Sequence, residues 1–474
     1  MPQRRVPLLL RPMRRMLRQV AGRTSLHMPA TGGRAPIRGF HAYRWDTTEL
    51  PITDDLYHPT GAIAQAEALL AARADAGASL MLSGGSTAGI HAMFLYAAKR
   101  GQPVILPRNV HVSALSICAT AGLVPIFAEP SFTKDGRLYT TAEAYARALD
   151  AHPDAPCAFA LHVDYEGLVS DLAAIAQAVH SRGKLLLCDE AHGAYFNWRE
   201  DIPNAGACGA DLYVQSAHKT LPALTAGAWL HASRQVDASR LRSMLRMTQT
   251  SSPSFLTLFS LDEARAWMDA QGSRALGRMG LLLERFREQA ARLGYADGQC
   301  DPPRGLRYDR LRLVLCAPEG GALLAKRLAD LRVDVEMSDT AHIVCIVPIN
   351  GAKGALRRLH RALRSTARMR NTQDQSALRH LERVPLPMRP TVWPTRRLPL
   401  HEAAFAETEP VTPAASAGHI SGVTVGPYPP GIAWLTAGDE ITQEIAMLLA
   451  QTPPERLFGL DQAGMIPCVK LKAE

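Results

Sequence analysis

Short apolar runs alternate with amphipathic stretches between Ala78 and about Ser233. "SLMLSGGSTAGIHAMFLYAAK" reads as strand, glycine turn and helix, and "PVILPRNVHVSALSICATAG" as strand, loop and helix. "VPIFAEP" and "CAFALHV" predict two more strands. "DLAAIAQAVHSRG" predicts an amphipathic helix that stops on Gly183, and "KLLLCDEAHG" a buried strand ending in charge. This alternation predicts an α/β fold with a parallel or mostly parallel sheet covered by helices on both faces. Ligands of such sheets sit beyond the carboxyl ends of the strands.

The pattern changes from Leu261 to about Ser365. A long charged helix, "ARAWMDAQGSRALGRMGLLLERFREQAARLG", precedes two strand-like runs, "LRLVLCA" and "AHIVCIVPI". "ERVPLPMRPTVWPTRRLPLHEA" is proline-rich and reads as a linker or strap. A helix, "ITQEIAMLLAQ", lies near the end. The expected division is a basic, flexible N-terminal extension (1–45), a large domain (46–260), a small α+β domain (261–370), a linker (371–400) and a C-terminal domain (401–474).

Charge alters this picture in one place. The net charge is +9, but residues 1–45 hold Arg4, Arg5, Arg11, Arg14, Arg15, Arg18, Arg23, Arg34, Arg38 and Arg44 with no acid. The remaining chain is therefore near neutral, 9 − 10 = −1, and a nucleic-acid partner is not expected. The tail has the arginine-rich, acid-free texture of an organelle transit segment; it reads as a disordered or loosely docked extension or an upstream start, with a targeting or anionic-surface role as the alternative. No apolar run reaches the roughly 18 residues of a membrane span. Eight cysteines show no CxxC spacing, so no zinc knuckle or redox pair is expected; a reducing, cytoplasmic compartment fits them.

Four signals carry chemistry. Asp189 follows a buried strand, where it serves as a cap, as an ion-pair partner, or as a carboxylate holding a protonated ring nitrogen. Lys219 follows "DLYVQ" inside "SAHKTLPALTAGA", which is not a surface composition. A lysine there is partly desolvated and becomes a usable amine nucleophile. Gly84 and Gly85 in "SGGSTAG" allow close backbone approach, and Ser86 and Thr87 open a helix, where backbone amides bind phosphate. The stretch lacks both GK[ST] and GxGxxG, so neither a P-loop nor a nicotinamide site is supported. His111 follows a strand end, as a structural residue or as a ring-stacking one.

Their order along the chain is phosphate loop, stacking residue, carboxylate, lysine. With "DLYHPTGAI" (Asp55–Ile63), "GSTAGIHAM" (Gly85–Met93), "RNVHVSALS" (Arg108–Ser116), "CDEAHGAYF" (Cys188–Phe196), "SAHKTLPALTAGAWLH" (Ser216–His231), "TQTSSPSF" (Thr248–Phe255) and "PYPPGI" (Pro427–Ile432), the chain resembles the Orn/Lys/Arg decarboxylases in their small bacterial form. That resemblance implies a fold type I, aspartate aminotransferase-like large domain with a mostly parallel seven-stranded sheet, smaller α+β domains after it, and pyridoxal 5'-phosphate as cofactor.

By the resemblance, Lys219 carries the cofactor, Asp189 holds the pyridine nitrogen protonated, and His111 stacks on the ring. Gly85, Ser86, Thr87, Ser216 and His218 lie near the phosphate and the lysine, and His192 flanks the ring. Lys219 or His218 returns a proton. Thr250, with Ser251 behind it, reaches a neighbouring subunit's cofactor, which implies a homodimer. Asp439, with Glu440 as fallback, takes the substrate's side-chain cation, and arginine is the first substrate, then lysine or ornithine. The alternatives are another pyridoxal-phosphate reaction on this fold or a non-catalytic regulator. Departures from the family fall at "MPATGGR" (Met28–Arg34), Asp164, His401 and Asp439.

Overall fold

The computed structural model describes residues 7, 10–20, 41–372, 390–428 and 431–470. Met28–Arg34, most of the expected linker (373–389), and Pro429 and Pro430 lie outside them.

Seven strands form the central sheet: β1 (Ala78–Leu82), β2 (Pro103–Leu106), β3 (Val124–Phe127), β4 (Cys157–Leu161), β5 (Leu185–Asp189), β6 (Leu212–Gln215) and β7 (Ala228–Ala232), in spatial order β1-β7-β6-β5-β4-β2-β3. Only β7 runs antiparallel to the rest. Both faces are buried, which explains the near-continuous apolar runs. Successive side chains enter different cores, as a strand's period of two requires. Val104 and Leu106 join Leu80 and Leu82 in one cluster, while Ile105 packs with Ala158 and Leu186 in another. Helices follow from the same sequence cues. α4 (Val112–Ala121) is capped by His111 and stops on left-handed Gly122, and α6 (Leu172–His180) is capped by Asp171.

Within the expected N-terminal extension (1–45), read as flexible or loosely docked, α1 (Pro12–Val20) is docked. Met13, Met16 and Leu17 repeat at the i, i+3, i+4 spacing of a buried helical stripe and are at most 5% exposed. Arg11 and Arg14 pair with Glu263 at 3.0 and 2.5 Å, and the Met13 backbone N–H donates to Asp262. That part of the basic excess serves a local interface. Its acidic partners stand on α9 (Phe255–Ala291), which starts earlier than the charge pattern alone suggests.

Behind α9 lies a three-stranded sheet of β8 (Arg312–Cys316), β9 (Met337–Ser338) and β10 (His342–Ile346), in order β8-β10-β9. It carries α10 (Gly321–Asp330) and the basic α11 (Ala352–Thr372). The C-terminal region pairs Thr408–Val411 with Ile466–Val469 and includes α12 (Gln443–Gln451). It is fastened to the large sheet by Arg396, which donates to the Pro125 carbonyl in β3 at 3.4 Å.

Candidate active site

The carboxyl ends of β1, β2, β5 and β6 open into one cavity of about 180 Å³. Lys219, Asp189, His192, His111 and Ser86 all line it, as does Tyr165, which follows β4.

Lys219 reaches the cavity because β6 ends in a single helical turn, α7 (Ala217–Thr220). Ser216 precedes that turn, and its carbonyl accepts the Lys219 backbone N–H at 3.2 Å. The Lys219 Nζ lies 3.2 Å from His192 Nε2 and 5.6 Å from the centre of the Tyr165 ring. Burial lowers its pKa below the ordinary lysine range; Asp189 and Glu336 oppose this, and Arg312 adds to it.

Asp189 closes β5 and is 4% exposed, and its Oδ1 accepts the Ala191 N–H at 2.8 Å. Its neighbour Glu190 points away, since His162 Nδ1 and Gln215 Nε2 hold its two oxygens at 2.5 Å each. The strand's alternation thus sends one carboxylate to the cavity and locks the other in the core. His111 caps α4, with Nδ1 accepting the Ser113 N–H at 3.2 Å, so its ring is held at the cavity wall. His192 is buried, and its ring tilts against Tyr165 at 4.5 Å.

At the β1 end, α3 (Gly85–Ala97) begins on Gly85, whose φ of +73° is a left-handed value that favours glycine. A side chain added there would meet nothing within 4 Å, so the space over the turn is open. The first-turn amides of α3 have no acceptor within the helix. The hydroxyls of Ser83 and Ser216 are buried and lack partners among the described residues. These features fit the pyridoxal phosphate implied by the resemblance: amides and unpaired hydroxyls for phosphate, an amine for the aldehyde, a carboxylate for the ring nitrogen.

Several expected residues stand elsewhere. Thr87 is exposed and outside the cavity wall, and His218 turns its Nδ1 to the Gly227 carbonyl at 3.0 Å. Thr250 is exposed and also off the wall; its carbonyl accepts the Tyr57 hydroxyl and its own hydroxyl accepts the Ser252 N–H. Ser251 is exposed beside it.

Asp439 is the clear correction. It is 2% exposed and absent from the cavity wall. Oδ2 accepts from the Thr436 N–H and hydroxyl at 2.9 and 2.6 Å, and Oδ1 accepts from Arg396 Nε at 3.1 Å. A carboxylate so engaged, and buried away from the cavity wall, fastens the C-terminal region instead of facing the substrate space. The fallback, Glu440, is bound to Arg397 at 2.6 Å. Asp439→Ala is therefore expected to cost about 2–4 kcal/mol of stability, measured by denaturant unfolding, because it strands a partly buried guanidinium.

The sequence reading missed the far end of the cavity, where Asp135, Asp164, Glu166 and Asp339 share the wall with Arg137 and His342. Arg137 pairs with Glu166 and, at 3.1 Å, with Asp135. Burial pushes the Glu166 pKa up to about 8; Arg137 counters this, while Asp164 and Asp339 reinforce it. These residues come from the β4 end, the hairpin before α5 (Ala142–Ala151) and the small sheet, and no short motif joins them.

Residues 38–298 match the family model described as Orn/Lys/Arg decarboxylase, major domain. An arginine decarboxylase of Halalkalibacterium halodurans is 31% identical over 419 residues, covering 85% of this chain and 84% of that protein. An arginine decarboxylase of Bacillus subtilis is 30% identical over 418 residues, covering 86% and 84%. The solved structure of the Francisella novicida lysine decarboxylase LdcF matches with a TM-score of 0.84 at 17% identity, over 97% of this chain and 81% of that one. At that identity the likeness is one of fold.

Proposed function

The chain belongs to the Orn/Lys/Arg decarboxylase family and is a pyridoxal-phosphate-dependent decarboxylase of a basic amino acid; from that premise we propose that its substrate is arginine and that Lys219 and Asp189 carry the cofactor. The observation that carries the site reading is that both line one cavity, with Lys219 Nζ against His192.

Bound there, pyridoxal phosphate supplies an electrophilic aldehyde and a ring that accepts the electron pair released when the carboxylate leaves. The chain's own residues do the rest. Asp189 holds a proton on the ring nitrogen by its charge. His111 and His192 bound the ring space, and the α3 turn with Ser86 receives the phosphate. Once its amine is free, Lys219 can return a proton to the carbon that lost its carboxylate. A dimer in which Thr250 meets the neighbouring subunit's cofactor is consistent with the exposure of Thr250.

Arginine is supported by the names of the relatives and by the far wall, where four carboxylates face two cationic side chains. With Glu166 largely protonated at neutral pH, three carboxylates still face two cations, and this acidic wall suits the distal cation of a basic amino acid. Asp164→Asn tests the role. The side-chain oxygen that receives the Glu166 and Leu168 N–H groups is kept, and only the charge goes. The KM for arginine is expected to rise about tenfold to a hundredfold with a smaller change in kcat. An unchanged KM would remove Asp164 from the substrate site. Amine release assayed over arginine, lysine and ornithine decides the substrate; faster turnover of lysine or ornithine would overturn arginine.

A further inference from the structure

Arg312 is a buried cation with no ion pair among the described residues. It opens β8, is 2% exposed, and its Nε is buried without a partner among the described residues. Among the described residues its side chain makes one hydrogen bond, from Nη2 to His192 Nδ1 at 3.2 Å. His192 Nε2 lies on the opposite side of the ring, 3.2 Å from Lys219 Nζ. Three side chains thus form a line from the small sheet to the cofactor amine.

The donor inventory fixes the direction of that line. A guanidinium only donates, so Nδ1 must accept. A neutral imidazole that accepts at Nδ1 carries its hydrogen on Nε2. That N–H faces Lys219, and only an amine lone pair can accept it. We propose that Arg312 is a positioning residue for Lys219: by occupying His192 Nδ1 it fixes the Nε2–H form, whose N–H favours the neutral lysine amine before the cofactor is attached.

The surroundings agree. Burial lowers the pKa of His192 well below its ordinary value, and the charges of Lys219 and Arg312 lower it further, so the ring stays neutral. Asp189 and Glu336 favour the ammonium form of Lys219, so burial and the His192 donor must oppose two carboxylates. His111, His218 and Tyr165 complete the titratable groups around the pair.

The inference rests on Lys219 as the cofactor's anchor. Its test uses cofactor-free protein, mixed with pyridoxal phosphate and treated with borohydride, which reduces the C=N bond at the trapping lysine to a stable amine. The rate of trapping at Lys219 is followed by peptide mass against pH. Arg312→Met is expected to move the profile to higher pH and slow trapping at neutral pH about tenfold. Arg312→Gln loses the charge but keeps a donor for Nδ1, and is expected to displace the profile clearly less than Arg312→Met does. With His192→Gln, whose amide donates without help, adding Arg312→Met should displace the profile no further than the loss of its charge in Arg312→Gln does. A merely structural arginine would slow trapping at every pH and in both backgrounds, and that result overturns the proposal. So does an Arg312→Met profile that overlays the unaltered one. If Arg312→Met does not fold, His192→Leu must show the same upward displacement, and overlay there overturns the proposal too. Absence of trapping at Lys219 in the unaltered protein defeats the anchor assignment and this inference with it. A normal anchor with an unmoved profile defeats this inference alone.

Discussion

Lys219→Ala is expected to abolish turnover, with kcat lower by about 10³-fold or more, while the fold survives. The loss follows from chemistry that no neighbour can replace. Lys219 lines the cavity from the single helical turn α7 after β6, and the other nitrogens near it belong to imidazoles and a guanidinium. The stability change should be small, within about 1 kcal/mol, because removing a partly buried cation relieves desolvation and costs one hydrogen bond to His192. Lys219→Arg keeps the charge but not a usable nucleophile, and is expected to be as inactive. Activity and denaturant midpoint measured together separate these effects: an inactive, unfolded variant would carry no information about the amine, whereas an active Lys219→Ala would remove it from the mechanism.

Asp189→Asn is expected to lower kcat about 10²- to 10³-fold with little change in folding or in cofactor attachment. The amide keeps an oxygen for the Ala191 N–H, so the strand end is preserved. Only the charge is lost. The sign of the electrostatics makes the variant decisive. The Asp189 charge raises the Lys219 pKa, so its removal leaves more neutral amine at a given pH. Poorer attachment is therefore not the expected defect; the loss must come from the ring, which no longer has a carboxylate to hold its proton. Retained trapping on Lys219 with collapsed turnover supports that reading, and full activity contradicts it.

Much of this site could be read along the chain because the fold concentrates it at strand ends. Asp189 and Lys219 each close an apolar run, and β5 and β6 are neighbours in the sheet, so the two motifs arrive together. His111 and Ser86 were found for the same reason, each lying just after a parallel strand. What escaped comes from partners far apart in sequence. Asp439 looked available because nothing near it in the chain announces Arg396, which takes one of its oxygens. Arg312 sits in an ordinary-looking strand, "LRLVLCA", and acquires meaning only where the small sheet meets His192. The acidic far wall is assembled from three separate segments. The amphipathic spacing of Met13, Met16 and Leu17 is visible in the sequence, but Glu263, the partner that neutralises Arg11 and Arg14, lies about 250 residues away on α9.

Borohydride reduction of the cofactor-loaded enzyme, followed by peptide mapping, puts the assignment of the anchor to the most direct test. One pyridoxyl group per chain on the peptide containing Lys219 is the expected finding. A label on any other lysine, or none while the enzyme still releases carbon dioxide from a basic amino acid, would contradict it.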